Sequence, residues 1–532
     1  MLDSLNLTVN CLHIDLEDML KKGFNTGYGY LRPPKRIESA AELAAILIQG
    51  SQNDCYGGQS FPDFNNSFSN TVKITRSETW KDNEKVFSDA NYTEAECVEK
   101  IEIILIKRVR QAMQAIVYNL NTLHSRAGSQ VPFSSVNIGI PRDNDAALIC
   151  QLFLEEYSKG LGKGEQPVFP NIVFLLKDGV NVDPEDPYYY LRLLAEKVSA
   201  KRMNPTFRNL DNSALLPYYN KGIIPATMGC RTDILANING VEGPKRRGNI
   251  APTSLNLVRV GIESKGNWDK FYKNLIKIMD TCYDTLMYRY DVLKQLKVKD
   301  LPFVAGQKLI QGSENLEMED SIEEILKQGS FAIGFIGLAE TMVAMTGHHH
   351  GEGEEYWNKA YEIIRFMRER IDFYKDKNHL NMSLYGTPAE GLSGRFIAID
   401  KKKYGIIAGV TDKDYYSNSY HLPVKFNVSA IDKLGTEAPF HKLCNAGKIS
   451  YVELDGGTVE EREVFIHRTN TYALNNTDID YYAYNFHIRY CKSCGTDVVG
   501  SEAKCPCCNG TDIQGISRVT GKNVAPLSSN GY

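Results

Sequence analysis

The decisive stretch runs from Ser134 to Asn181, where "SSVNIGI" (134–140) is followed by "AALICQLFLEEYSKGLGKG" (146–164) and then by "NIVFLLKDGVN" (171–181). The outer two are short apolar runs bounded by Gly, Pro and Asn, the pattern of strands, and the middle one has helical spacing. The alternation continues outward. "TSLNLVRVGI" (253–262) and "LNMSLYGT" (380–387) read as strands, and "AAELAAILIQG" (40–50), "ECVEKIEIILIKRVRQAMQAIVYNLNTL" (96–123) and "NWDKFYKNLIKIMDTCYDTLMYRYDVLKQL" (267–296) read as helices. "FAIGFIGLAETMVAM" (331–345) is too short to span a bilayer, carries Glu340, and reads as a buried helix. Strands separated by helices predict an α/β fold with parallel pairing, in sheet or barrel form. No low-complexity linker interrupts the chain before about residue 480, so residues 1–480 read as one body and 481–532 as a C-terminal piece.

At 532 residues, with 42% apolar and 24% charged residues, the chain can bury a sizeable core. A net charge of -4 spread over interspersed signs supplies no basic field for nucleic acid or an anionic membrane, and neither is expected as a partner. The N-terminal residues lack the basic and apolar regions of a signal peptide. Of twelve cysteines, five crowd into the last tenth and the rest are scattered singly, which points to a reducing, cytoplasmic setting.

Four of those five cysteines carry a metal signal. Cys491 and Cys494 form one CxxC, Cys505 and Cys508 another, within eighteen residues, and "SCGTD" and "CNGTD" supply knuckle turns. That spacing predicts a structural tetrathiolate zinc site, whose filled tetrahedron leaves no position for substrate. Cys507 is the spare and could replace Cys505 or Cys508. Two isolated cysteines stand out by their neighbours: Cys55 in "NDCYGGQSF", where glycines permit close backbone approach, and Cys230 in "ATMGCRTD". "YGTPAEGLSGRF" (385–396) reads as a turn opening into a helix, where free N–H groups and a positive helix end could hold phosphate. Glu390, at that helix start, reads as a solvated carboxylate. His348, His349 and His350 read as a surface turn rather than a metal site, and "GPKRRG" (243–248) as a solvated basic loop or an aid to holding a triphosphate.

"LNTLHSRAGSQVPFSSVNIG", "KGLGKGEQPVFPNIVFLLKDGVN", "ATMGCRTDI", "TSLNLVRV", "TGHHHGE", "MSLYGTPAEG" and the final "RVTG" occur in this order. Together they resemble the anaerobic, class III ribonucleoside-triphosphate reductases, the glycyl-radical ribonucleotide reductases. The resemblance implies a ten-stranded α/β barrel with a central finger loop, and a C-terminal zinc module that delivers a glycine loop to the barrel centre. It implies a radical stored on Gly521 and passed to Cys230, whose thiyl takes the 3'-hydrogen of the ribose, with Cys55 on the opposite face as a proton and hydrogen-atom source. Asn256 resembles the asparagine that binds the sugar hydroxyls in formate-using members, with Asn249 a rival for the match, and formate is the expected reductant. Thr387, Ala389 and Asn137 are the implied substrate-side residues. The implied partners are a radical S-adenosylmethionine activating enzyme with its iron-sulfur cluster, nucleoside triphosphate substrates and effectors, and a second copy in a homodimer, with the helix around Ile101 to Tyr118 as its contact. No N-terminal ATP cone is expected, and Lys522 follows Gly521 where relatives carry Tyr.

Other readings predict different behaviour. The same reaction with a thiol-protein reductant would not depend on formate. A different glycyl-radical enzyme, such as an acyltransferase or diol dehydratase, would share the terminal glycine but not the zinc knuckles. A zinc-ribbon protein binding nucleic acid would leave the α/β body idle and would require a basic surface.

Overall fold

The computed structural model describes residues 8–27, 29–125, 130–229, 231–388, 390–454, 457–486, 488–494, 497–499, 503–505, 507–519 and 522–524. Strands Leu12–His13, Gln59–Phe61, Ser134–Ile138, Asn171–Leu176 and Thr206–Asn209 lie side by side in chain order and run parallel. Parallel neighbours require long crossovers. Helices Ile37–Asp54, Phe64–Asp89 with Glu94–Thr122, Asn144–Lys159 and Tyr189–Arg202 provide them. With both faces covered, Asn171–Leu176 is buried at every position, which accounts for the unbroken apolar run from Ile172 to Leu176.

Thr206–Asn209 then pairs antiparallel with Tyr481–Asn485, whose other neighbour is the parallel strand Ser450–Glu453, completing a seven-stranded sheet. A second sheet holds three parallel strands, Asn249–Asn256, Ser330–Ile336 and Asn381–Gly386. Hydrogen bonds join the two sheets at both edges. On one side the His13 N–H donates to the Arg247 carbonyl at 2.8 Å and the Arg246 N–H to the His13 carbonyl at 2.9 Å. On the other the Ala446 N–H donates to Leu384 at 2.8 Å and the Gly386 N–H to Gly447 at 2.9 Å. A short hairpin, Thr227–Met228 against Thr232–Asp233, is bonded to both sheets. Beyond Asn485, strands Ile488–Cys491, Asp497–Val499, Ile513–Val519 and Lys522–Val524 form a separate antiparallel sheet.

Several local readings are corrected by the structure. "TSLNLVRVGI" is strand only to Asn256, and helix Leu257–Ser264 follows, because the Asn256 side chain caps it by accepting the Arg259 N–H at 3.1 Å. "FAIGFIGLAETMVAM" is not one helix but strand Ser330–Ile336 followed by helix Leu338–Thr346. An apolar run has no periodicity to separate the two states. The divider is Gly337, at φ +86°, where a Cβ would also run into Val258. The basic loop is not solvated at Arg247, which is fully buried and donates to the carbonyls of Leu235, Ala236, Gly243 and Gln328. In the histidine turn, His350 is buried beside the Tyr420 carbonyl at 2.9 Å, so the turn is superficial only in part.

Candidate active site and metal centre

The hairpin is held by side chains of the parallel strands. Asn137 clamps the Thr227 backbone from both sides, donating from Nδ2 to its carbonyl at 2.9 Å and accepting its N–H at 3.1 Å. The Ser135 hydroxyl oxygen accepts the Gly229 N–H at 3.1 Å, and Thr232 Oγ1 lies 3.0 Å from the Tyr385 hydroxyl of the other sheet. At the base, Asp233 meets Arg208 at 2.6 Å and Lys448 at 2.7 Å, and Asp480 meets the same two cations at 3.0 and 2.7 Å. All four groups are buried. Burial works against charge on Arg208 and Lys448, yet the two carboxylates more than offset it and hold both above their ordinary values.

Cys55 is fully buried where helix Ile37–Asp54 ends, in a parallel bridge with Val9. The glycine pair after it brings this loop to the hairpin: a Cβ on Gly58 would lie 3.7 Å from the Gly229 Cα. Burial pushes the neighbouring Tyr56 phenol up to about 12, with Arg289 opposing. Cys230, between Gly229 and Arg231 in sequence, lies outside the described residues. Arg231 itself is buried, with Nη1 3.4 Å from the Gly386 carbonyl and its guanidinium 5.9 Å from the Tyr451 ring centroid.

On the three-stranded sheet, the Thr387 hydroxyl meets that of Ser254 at 2.8 Å. Gly334 on the intervening strand makes room, since a Cβ there would overlap the Thr387 hydroxyl. Asn256, two residues beyond Ser254, is buried and donates from Nδ2 to Asp400 Oδ2 at 2.7 Å. Its rival Asn249 has its amide on Asn10 at 2.9 Å and on Ser330 at 3.0 Å, at the other end of the strand. Thr387 precedes helix Glu390–Tyr404, while Ala389 lies outside the described residues. A cavity of about 880 Å³ beside that helix's first turn is lined by Ser393, Tyr416, His421 and Tyr451 among others. Ser135, Ser254 and Asp400 were not singled out in the sequence, and a lone Ser or Asp carries no local signal to find it by.

The C-terminal cysteines assemble as their spacing predicts. The sulfurs of Cys491, Cys494, Cys505 and Cys508 all lie within 4.8 Å of one another, with Cys491 to Cys508 and Cys494 to Cys505 at 3.5 Å. A tetrahedral zinc with bonds of about 2.3 Å needs sulfurs about 3.8 Å apart, so these residues fit the ion. Cys507 stays out of the cluster, and its N–H instead points to Cys505 Sγ at 3.4 Å, as at a thiolate knuckle. Strand Ile513–Val519 leaves this cluster and pairs with Lys522–Val524, Val519 opposite Lys522. Gly521, between these strands in sequence, lies outside the described residues.

Comparison with known proteins agrees with this arrangement. The family profile for anaerobic ribonucleoside-triphosphate reductase matches residues 2–526. The chain is 31% identical over 520 residues to the anaerobic ribonucleoside-triphosphate reductase of Escherichia coli (strain K12), covering 96% of this chain and 70% of that protein. It is 32% identical over 498 residues to that of Enterobacteria phage T4, covering 92% and 78%. Its fold is similar to the anaerobic ribonucleotide reductase from Thermotoga maritima crystallised with dATP and CTP, with a TM-score of 0.70 at 16% identity over 98% of this chain and 81% of that one. An α/β body with a four-cysteine metal-binding cluster near its C-terminus, matched along nearly its whole length by one family, makes this chain a member of the anaerobic ribonucleoside-triphosphate reductases, a family of oxidoreductases.

Proposed function

We propose that this chain reduces ribonucleoside triphosphates to 2'-deoxyribonucleoside triphosphates without oxygen, using a radical kept on Gly521 and spent at Cys230, with formate as the reductant. The observation that carries the reading is the meeting of the Cys55 loop with the hairpin, through Gly58 and Gly229. It would bring the two thiol-bearing segments to opposite sides of a small space. We read the seven and three strands as one ten-stranded α/β barrel, supported by the edge hydrogen bonds, with the hairpin as its finger; since strand Tyr481–Asn485 belongs to the barrel, the glycyl-radical module is the part of 481–532 that follows it.

In this mechanism the Cys230 thiyl removes the 3'-hydrogen, which lets the 2'-hydroxyl leave as water once it has taken a proton from Cys55. The formate C–H bond breaks, its two electrons and hydrogen reduce C2' by way of Cys55, and carbon dioxide leaves; one proton restores the Cys55 thiol, the 3'-hydrogen returns from Cys230, and the thiyl is restored. The balance is one triphosphate, one formate and one proton to one deoxy product, one carbon dioxide and one water. Asn256 would hold the sugar hydroxyls, and Thr387, which precedes helix Glu390–Tyr404, would with Ala389 hold the phosphates. Asn137 holds the hairpin by its bonds to the Thr227 backbone, and it would meet the substrate only through the rest of its amide, whose other Nδ2 contact is Ser60 Oγ at 3.4 Å. Glycine suits radical storage because its Cα flattens without side-chain crowding. Zinc, held by Cys491, Cys494, Cys505 and Cys508, supplies a fixed anchor for the tail.

A radical S-adenosylmethionine enzyme, carrying the iron-sulfur cluster, would install the radical. The helix Glu94–Thr122 exposes Val98, Ile103 and Ile106, and with Phe64–Asp89 it lines a cavity of about 380 Å³ holding Lys73, Arg76, Trp80 and Lys81. Those features favour a homodimer contact there with a nucleotide effector beside it. Among the described residues no helix is long and apolar enough to cross a membrane; a cytoplasmic location is proposed from the cysteine pattern. The test is anaerobic activation followed by a nucleotide assay with formate, with a thiol protein instead, and with neither. Deoxynucleotide formation only with formate supports the whole reading, and formation only with the thiol protein overturns the choice of reductant.

A further inference from the structure

Asn256 sits in a buried polar cluster that sequence reasoning did not assign. Asp400, fully buried on helix Glu390–Tyr404, accepts three hydrogen bonds and is ion-paired with Arg259. Oδ1 accepts from Arg259 Nε at 2.8 Å and lies 2.6 Å from its Nη2, and Oδ2 accepts from Asn256 Nδ2 at 2.7 Å and the Tyr416 hydroxyl at 2.9 Å. A carboxylate offers about four lone-pair sites, so both oxygens of this one are engaged. Burial and the nearby Asp400 charge push the Tyr416 phenol far up, which keeps it protonated as a donor. Its ring is locked among Val258, Ile336, Ile397 and Val410.

This geometry constrains Asn256. An amide can present itself either way round, but a carboxylate only accepts, so the nitrogen must face Asp400. The same orientation turns Oδ1 to the Arg259 N–H, where it caps helix Leu257–Ser264 at 3.1 Å. One N–H and one Oδ1 lone pair are left over. Arg259, about one-third exposed, balances the Asp400 charge, so the cluster adds no net negative field against an incoming anion.

We propose that Asp400 is a positioning residue for the reaction: its carboxylate fixes the Asn256 amide so that the remaining N–H and lone pair meet the ribose hydroxyls and a one-carbon carboxylate. This rests on the reading that Asn256 contacts the sugar. Asp400 touches neither substrate nor reductant and acts only through Asn256.

The test is a double-mutant cycle on the activated full-length protein, with Asn256→Ala, Asp400→Asn and both together, reading glycyl-radical yield, kcat, and KM for nucleoside triphosphate and formate. Asp400→Asn is expected to keep the radical yield and to lose about tenfold or more in kcat/KM, since the broken bonds involve a charged group. In the Asn256→Ala background the same change should cost little further. Tyr416→Phe, which keeps the ring, should shift kcat/KM in the same direction by about two- to fivefold, and it serves if Asp400→Asn does not fold. A silent Asn256→Ala overturns the sugar-contact reading itself. A damaging Asn256→Ala beside a silent Asp400→Asn and a silent Tyr416→Phe, or losses that simply add, overturns the positioning role alone.

Discussion

The hairpin Thr227–Asp233 and the C-terminal sheet Ile488–Val524 would hold the two ends of one radical path, and they are secured in opposite ways. The hairpin is a few residues long yet is tied to both sheets by Asn137, Ser135 and Tyr385, and at its base by the Asp233, Arg208, Lys448 and Asp480 cluster. Among the described residues, the C-terminal sheet meets the body through an apolar contact of Phe486 and Ile488 on Met203, and Cys491 and Cys505, with Ile513 against them, form its interior cluster. Small domains of this kind are commonly held by a structural metal. A segment that must hold a thiyl at a fixed point is best built into the body. One that must be reached by an activating enzyme is best left outside and stapled by metal.

The comparison can be broken most forcefully at the staple. Chelating the metal, or changing Cys494 to Ser, is expected to unfold the C-terminal sheet, since structural zinc contributes on the order of 10 kcal/mol to such sites. Zinc content should fall, no glycyl radical should form, and the main thermal transition of the body should stay in place; if that transition moves with the zinc, the two regions are not secured independently. At the hairpin base, Asp233→Asn leaves Arg208 and Lys448 short of one buried carboxylate and should destabilise the body by about 3–5 kcal/mol in denaturant titration, with zinc retained.

A gentler cut is Asn137→Ala, which strips two bonds from the Thr227 backbone without touching charge. It should cost about 1–3 kcal/mol for each buried group left unpaired and lower kcat more than it raises KM for the nucleotide. Per group, the mildest probe is acid. Burial pushes His13 and His350 down to about 3 and holds His421 and His441 well below 6.5. Below 6.5 the unfolded chain binds protons that the folded body refuses, so stability present above that pH is lost as it falls toward 3. At pH 5.5 the loss should be roughly 1 kcal/mol per histidine, seen as a lower melting temperature of the body, and His441→Gln should reduce the slope.

Much of this was legible in the sequence because it lies in local strings. The strand, helix and strand of Ser134–Asn181 stand as read, and the two CxxC pairs meet as their spacing required. What was hidden depends on residues far apart in the chain. Asn137 was given only a substrate-side role because Thr227, whose backbone it holds, is ninety positions away. Asp400 was not singled out because Asn256 is 144 positions away. Arg247 read as solvated because the carbonyls that gather it become neighbours only when the chain closes on itself. Gly337 and the Asn256 cap show the converse: single residues that end one element and open the next, invisible to hydrophobic periodicity.

The central claim is that the electron stored at Gly521 acts only through the thiol at Cys230. The direct measurement is made on Cys230→Ser, activated anaerobically, with the glycyl radical counted by electron paramagnetic resonance and deoxynucleotide assayed in the same sample. The account predicts a radical signal near that of the unaltered protein and no product. Product at a comparable rate from Cys230→Ser would contradict it.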